Sequence, residues 1–264
     1  MRISNILLMV IFPTAALAEW ETNMPRGVTP TSEVAYDLHM LIFYITVVIG
    51  IVVFGAMLYS ILYHRKSLGH KPAKFHESTK VEIIWTVIPF IILVGMAVPA
   101  TKALIMMEDT RDSEITLKVT GYQWMWQYEY LEDNVTFFSK IDDESNTARR
   151  LGSGVDVTTV DNYLRDVDHA VVLPTNTKVR ILLTANDVIH AWWVPELGGK
   201  KDAIPGYVNE IWVDIKEPGT YRGQCAELCG KDHGFMPIVV HAVSKPEYYK
   251  WVGIQKTNKV AKNK

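Results

Sequence analysis

Cys225-Ala226-Glu227-Leu228-Cys229-Gly230-Lys231-Asp232-His233-Gly234-Phe235-Met236 brings two thiols, an imidazole and a thioether into twelve residues. The stretches on either side, 221–224 and 238–243, are β-branched and aromatic and read as strands, so this segment is a loop between strands. Thiolate and thioether are soft ligands that select copper over hard cations, and imidazole suits copper as well. A structural disulfide between Cys225 and Cys229 is the plainer alternative in an exported chain. It requires neither a His nor a Met at these spacings, and zinc would not recruit Met. A mononuclear blue-copper site takes one Cys, two His and a weak axial Met; this loop carries one Cys more. A second thiolate lets two sulfurs bridge two copper ions, each needing its own imidazole. The second His must then come from elsewhere, and His169, His190 and His241 are the candidates. His190 follows a predicted strand in Asn186-Asp187-Val188-Ile189-His190-Ala191-Trp192-Trp193, where a loop ligand is expected. His241 lies inside a predicted strand and reads as a packed or edge residue, and His169 borders a polar insertion.

Outward from the loop, short strands are predicted at 114–120, 171–173, 178–184 and 210–215, with breaks at Pro174, Pro205-Gly206 and Pro218-Gly219. No soluble-helix pattern separates them, so 108–249 reads as an all-β sandwich or Greek-key barrel. Residues 133–166 are polar and irregular, as in a surface insertion. The tail, 250–264, holds five lysines and no acid and reads as a frayed end. Gly121-Tyr122-Gln123-Trp124-Met125-Trp126-Gln127-Tyr128-Glu129-Tyr130 sets five rings in ten residues. A period of two places Trp124, Trp126, Tyr128 and Tyr130 on one strand face. An aromatic core or a membrane-interface belt is the plainer account, and a surface that electrons cross is the sharper one.

The N-terminal half is of another kind. Residues 1–18 have the form of an export signal: Arg2, an apolar run over 6–12, and Ala16-Leu17-Ala18 as a small-x-small cleavage pattern. An exported segment, 19–37, would follow. Residues 38–64 contain no Asp, Glu, Lys or Arg and are long enough to cross a bilayer. A second apolar span is expected over 82–107, where Pro89 and Pro99 are tolerable in a transmembrane helix. The loop between them, 65–81, is basic and belongs in the cytoplasm, leaving both ends of the hairpin outside. Glu82 sits at the cytoplasmic start of the second helix. There it can cap the first turn or mark a point where protons enter. Two cysteines in 264 residues are too few for a disulfide scaffold, and a net charge of −2 argues against a nucleic-acid binder held by overall basicity.

Taken together, the hairpin with Val81-Glu82-Ile83-Ile84-Trp85-Thr86, the Trp-rich strand, His190, Asp202-Ala203-Ile204-Pro205-Gly206 and the 225–236 loop resemble subunit II of the haem–copper cytochrome c oxidases. The resemblance implies a two-helix transmembrane hairpin followed by a cupredoxin-like Greek-key barrel that holds a dinuclear copper centre, CuA. In the family pattern Cys225 and Cys229 bridge two copper ions. His190 and Met236 complete one copper; His233 and the backbone carbonyl of Glu227 complete the other. The Glu227 side chain would reach a magnesium ion shared with the catalytic subunit. Trp124 would be where electrons arrive from cytochrome c, and Glu82 the mouth of a proton path. The implied activity is that of an oxidase subunit passing electrons to haem-bearing subunit I, where oxygen is reduced to water with proton translocation. The implied home is a bacterial cytoplasmic (inner) membrane, in contact with membrane lipid and with the C-terminal domain periplasmic. Met125 departs from the tyrosine many relatives carry there, and the insertion is longer than in compact members. No Cys-x-x-Cys-His follows the domain, which sets aside the haem-bearing variant. Two alternatives remain at this stage. One is a membrane-anchored single-copper electron carrier or copper-assembly protein; the other is a structural subunit whose cysteines are joined.

Charge is unevenly shared. Residues 108–249 hold 14 basic and 23 acidic groups, a net of −9 that the tail lysines and the basic loop conceal in the whole-chain sum. An acidic exported face suits a basic partner, with association that weakens as salt rises.

Overall fold

The computed structural model describes residues 23–262 apart from Pro72 and Phe75, with side chains described as far as Thr257; the expected signal at 1–18 lies outside the described residues. Helix α1 (Pro30–Tyr63) begins eight residues before the charge-free run at 38–64. Local chemistry sets that start. Thr29 and Ser32 form a reciprocal capping box, and Pro30 occupies the first turn, where its missing N–H costs nothing. Helix α2 (Thr79–Met107) starts three residues before the expected 82 and runs through Pro89 and Pro99. Both helices leave large apolar side chains exposed along their length, as a lipid-facing pair must.

Ten strands follow among the described residues: β1 (Ile115–Tyr122), β2 (Met125–Tyr130), β3 (Val135–Ser139), β4 (Val171–Pro174), β5 (Val179–Ala185), β6 (His190–Trp193), β7 (Lys200–Ala203), β8 (Asn209–Val213), β9 (Gly219–Cys225) and β10 (Pro237–Val243). They form two five-stranded sheets, ordered β3-β2-β1-β5-β8 and β4-β10-β9-β6-β7. Parallel pairing of β1 with β5 and of β10 with β4 shows that the chain crosses between sheets, as in Greek-key β folds. Alternating side chains of β1, β2 and β5 meet those of β10 and β6 in one core, with Leu117, Trp126, Tyr128, Leu183, Trp192 and Ile238 among its fully buried members.

The structure departs from the sequence-based expectations in three places. Trp126, Tyr128 and Tyr130 share the buried face of β2, but Trp124 lies in the turn before it and does not belong to that face. The insertion is not irregular throughout. Its first part forms β3, paired with β2, and helix α3 (Asp143–Ala148) is capped by Asp142. The tail is helical rather than frayed: α4 (Lys245–Lys262) starts on Ser244, which exchanges hydrogen bonds with Glu247 in a capping arrangement. Tyr248 and Trp251 of α4 pack on Tyr130 and Phe137, an apolar anchor that the run of lysines obscured.

The hairpin and the domain are joined on one side of the membrane. Thr29 donates to the Leu197 carbonyl (3.0 Å), the Val28 N–H to Glu196 (2.9 Å), and the Lys216 N–H to Val28 (2.9 Å). At the end of α2, Trp212 Nε1 donates to the Met106 carbonyl at 3.2 Å.

Candidate metal centre

The 226–236 loop is closed at its base. β9 and β10 pair antiparallel, and the Cys225 N–H donates to the Met236 carbonyl at 3.0 Å. Gly230 adopts φ 121°, a left-handed value that favours glycine, and a short 3-10 turn starts at His233. Cys225 ends β9 and Met236 precedes β10, so strand pairing fixes both ends of the loop.

Within this frame the donors converge. The sulfurs of Cys225 and Cys229 lie 3.8 Å apart, both buried and unlinked. A disulfide would need about 2.05 Å. His190 Nδ1 lies 3.8 Å from Cys225 Sγ, and His233 Nδ1 lies 3.5 Å from Cys229 Sγ. The Glu227 carbonyl is 3.4 Å from Cys225 Sγ, and its side chain is exposed at the rim. Met236 is 1% exposed, with its side chain in the core beneath the loop. His190, Cys225 and Cys229 offer donor atoms within 4.8 Å of one another, a spacing that could hold a metal. The donor chemistry fits a soft ion: two sulfurs and an imidazole, shielded from water, with a second imidazole alongside.

His190 is the first residue of β6, not a loop residue after a strand, which corrects the expectation from sequence. Its backbone is therefore held by pairing to Ala203. The ring is held by Asp187, whose Oδ1 lies 2.9 Å from Nε2, and it stands edge-on to Trp126 at 5.9 Å between centroids. Space for it exists because residue 121 is glycine. A Cβ there would sit 2.7 Å from His190 Cδ2 and 2.9 Å from Cγ. Of the other histidine candidates, His169 is exposed beside Asp168, and His241 is in β10 bonded to Thr220.

The electrostatics favour charge separation. Burial raises the Cys225 thiol, but its bond to His190 and the backbone groups of Ala191 and Glu227 outweigh that and bring it below the usual thiol value. Burial and the neighbouring Cys225 charge push Cys229 up. Burial lowers His190, yet the bonds to Cys225 and Asp187 leave it raised on balance. Burial likewise raises Asp187, and its bond to His190 and the N–H groups it accepts leave it lowered. Of the two thiols, Cys225 is therefore the one that gives up its proton more readily.

Further residues support these donors, and of them the sequence singled out Trp124 alone, for a different role. Gln123 Nε2 (2.8 Å) and Trp124 Nε1 (3.2 Å) both donate to the Cys229 carbonyl, tying the turn between β1 and β2 to the loop. Asp187 also accepts from the Gln123 N–H at 2.7 Å. From the insertion, Arg149 reaches Asp232 (3.3 Å) and lies over the Phe235 ring at 4.3 Å. The signal for Asp187 was present as an acid three residues before His190; Arg149 had none. Glu82 is exposed in the first turn of α2, in a shallow cleft of about 240 Å³ with Thr79, Ile83, Thr86 and Val87.

The fold and site define a class: a membrane-anchored, cupredoxin-like domain with a buried soft-donor cluster. Residues 115–243 match the family description "Cytochrome C oxidase subunit II, periplasmic domain", and residues 17–103 match "Cytochrome C oxidase subunit II, transmembrane domain". "Probable cytochrome c oxidase subunit 2" of Rickettsia bellii (strain RML369-C) is 38% identical over 266 residues, covering 99% of this chain and 95% of that protein. "Cytochrome c oxidase subunit 2" of Arabidopsis thaliana is 36% identical over 256 residues, covering 94% of this chain and 95% of that one. Among solved structures, the periplasmic domain of subunit II of cytochrome oxidase (CoxB) of Bradyrhizobium japonicum aligns with a TM-score of 0.50 and 37% identity, covering 56% of this chain and 98% of that one. The chain belongs to the cytochrome c oxidase subunit II family.

Proposed function

We propose that this chain is the electron-accepting subunit of a bacterial cytochrome c oxidase, set in the cytoplasmic membrane with its β domain in the periplasm. The observation that carries the reading is the pair of buried, unlinked thiols 3.8 Å apart, each with an imidazole nitrogen within 3.8 Å. Cys225, Cys229, His190, His233, Met236 and the Glu227 carbonyl would together hold two copper ions. Copper so bound would supply a one-electron carrier.

The chain's own residues do the rest. The paired strands and the bonds to the Cys229 carbonyl keep the donors in place, so few atoms would have to move when the charge changes. Asp187 holds the His190 ring with Nδ1 toward the sulfurs. Trp124, partly buried and bonded to the Cys229 carbonyl, would be the residue that takes electrons from cytochrome c. The net of −9 over 108–249 attracts a basic partner of that kind. The exposed Glu227 carboxylate would reach a magnesium ion at the boundary with the haem-bearing subunit I. Glu82, in its cleft on the opposite side of the membrane, would admit protons to that subunit.

Rapid mixing of the purified oxidase with reduced cytochrome c tests this directly. Reduction should be fast, should slow as ionic strength rises, and should be abolished by Cys225→Ser. Unchanged reduction in that variant would refute the assignment.

A further inference from the structure

At the junction of α2 with the β domain lies an open cleft of about 480 Å³, lined by Lys102, Ile105, Met106, Asp109, Lys178 and Trp212. We infer that this cleft binds the phosphate of one anionic phospholipid from the leaflet on the β-domain side, a lipid retained as part of the protein. The inference is independent of copper and of electron transfer.

Depth comes first. α2 has 29 residues and spans about 43 Å, close to the ~40–45 Å of a bilayer with its headgroups around a ~30 Å hydrocarbon core. Lys102 stands five residues before the end of α2 at Met107, roughly 7 Å along the axis, which is headgroup depth. Trp212 bonds to the Met106 carbonyl, so the adjoining edge of the β domain rests at the same level. A Trp at this depth is usual for a membrane interface.

Charge comes second. Lys102 is exposed and makes no hydrogen bond or ion pair among the described residues. Lys178 Nζ donates to the carbonyls of Asp109 (2.8 Å) and Arg111 (2.7 Å) and lies 4.5 Å from the Trp212 ring centre. Among the described residues it makes no ion pair with a carboxylate. Asp109, the one acid in the cleft, has both oxygens engaged by Arg111 at 2.7 and 2.6 Å. Lys102 thus brings an unpaired charge to the cleft beside the Lys178 ammonium, which suits a phosphodiester under a neutral headgroup. The cationic end of a zwitterionic lipid would find no free carboxylate there.

A lane for acyl chains comes third. Val94, Val98, Lys102, Ile105 and Met106 follow one face of α2 at helical spacing. Val94 (52%), Val98 (58%) and Ile105 (67%) are uncovered by the rest of the chain. Val94 and Val98 run from Lys102 toward the bilayer centre, where the acyl chains of a lipid held at Lys102 would lie.

The test uses the intact oxidase purified from nanodiscs of phosphatidylcholine with a tenth part phosphatidylglycerol, with retained lipids counted by native mass spectrometry. Wild type should keep one phosphatidylglycerol through detergent washing. Lys102→Gln should lower its retention about fivefold, and Lys102→Arg should preserve it. Millimolar inorganic phosphate should not displace it, because the acyl lane contributes to binding. Equal retention in Lys102→Gln would overturn the site. Equal retention of phosphatidylcholine, or full displacement by free phosphate, would overturn the assignment to an anionic lipid. Copper content should be the same in every variant, which separates this result from the fate of the electron-transfer reading.

Discussion

Replacing Gly121 by Ala adds one methyl group, and that methyl points at His190. The built Cβ meets Cδ2 at 2.7 Å and Cγ at 2.9 Å. Ordinary carbon contacts are ~3.5–4.0 Å, so the ring must retreat by about 1 Å. It has nowhere to go: His190 is fully buried, held by Asp187 on one side and flanked by Trp126. Overpacking of this sort costs about 1–3 kcal/mol, while exchanging Gly for Ala within a strand returns about 0.5–1 kcal/mol of backbone entropy. The net loss of folding stability is therefore modest, about 0–2 kcal/mol. Metal ligation is less forgiving, because ligand distances tolerate only about 0.2 Å. The expected outcome is a folded chain with a small fall in the thermal unfolding midpoint. Its copper affinity should fall at least tenfold and the copper spectrum should change, since ~10–100-fold is typical when ligand support is lost. Chelator competition and electron paramagnetic resonance on the detergent-solubilised chain would measure both. Wild-type copper affinity with an unaltered spectrum in Gly121→Ala would refute the placement of His190 at the metal.

Four further outcomes are expected. Asp187→Asn should leave the fold intact but weaken copper binding about tenfold in chelator competition, because the imidazole loses its charged partner. Trp124→Ala should slow reduction by cytochrome c while sparing the copper spectrum; unchanged kinetics would remove its role. Arg149→Ala should speed copper loss to a chelator, since the ion pair to Asp232 and the contact with Phe235 brace the segment between His233 and Met236. The bond to Ser244 holds Glu247 below the usual carboxylate range. Its contribution to α4 is thus present above the unfolded-state value and lost as pH falls through the folded one. Trp251 fluorescence should report an acid-induced loosening of α4 whose pH dependence is shallower in Glu247→Gln.

Features with a strong local signal were legible in the sequence. The 225–236 loop combined soft donors with flanking strands, the hairpin combined two apolar spans with a basic connection, and six strands of the domain were predicted near their observed places. What escaped reading depended on long-range contact. Nothing local distinguishes Trp124 from Trp126, yet one lies in a turn against Cys229 and the other is buried in β2. Short strands such as β6 and β7 exist because they pair with each other and, for β6, with β9, not because of their own propensity. The tail looked solvated because its lysines outnumber the residues that anchor it, Tyr248 and Trp251. α1 began earlier than its apolar run because a cap, not hydropathy, sets a helix start.

The claim that most needs a direct answer is that two thiolates hold two copper ions. The purified full chain, reduced, loaded with copper and freed of excess metal, should contain two coppers per chain. Its mixed-valence form should give a paramagnetic resonance spectrum in which one unpaired electron is shared by two copper nuclei. One copper per chain with a spectrum from a single nucleus, or no copper retained, would contradict it.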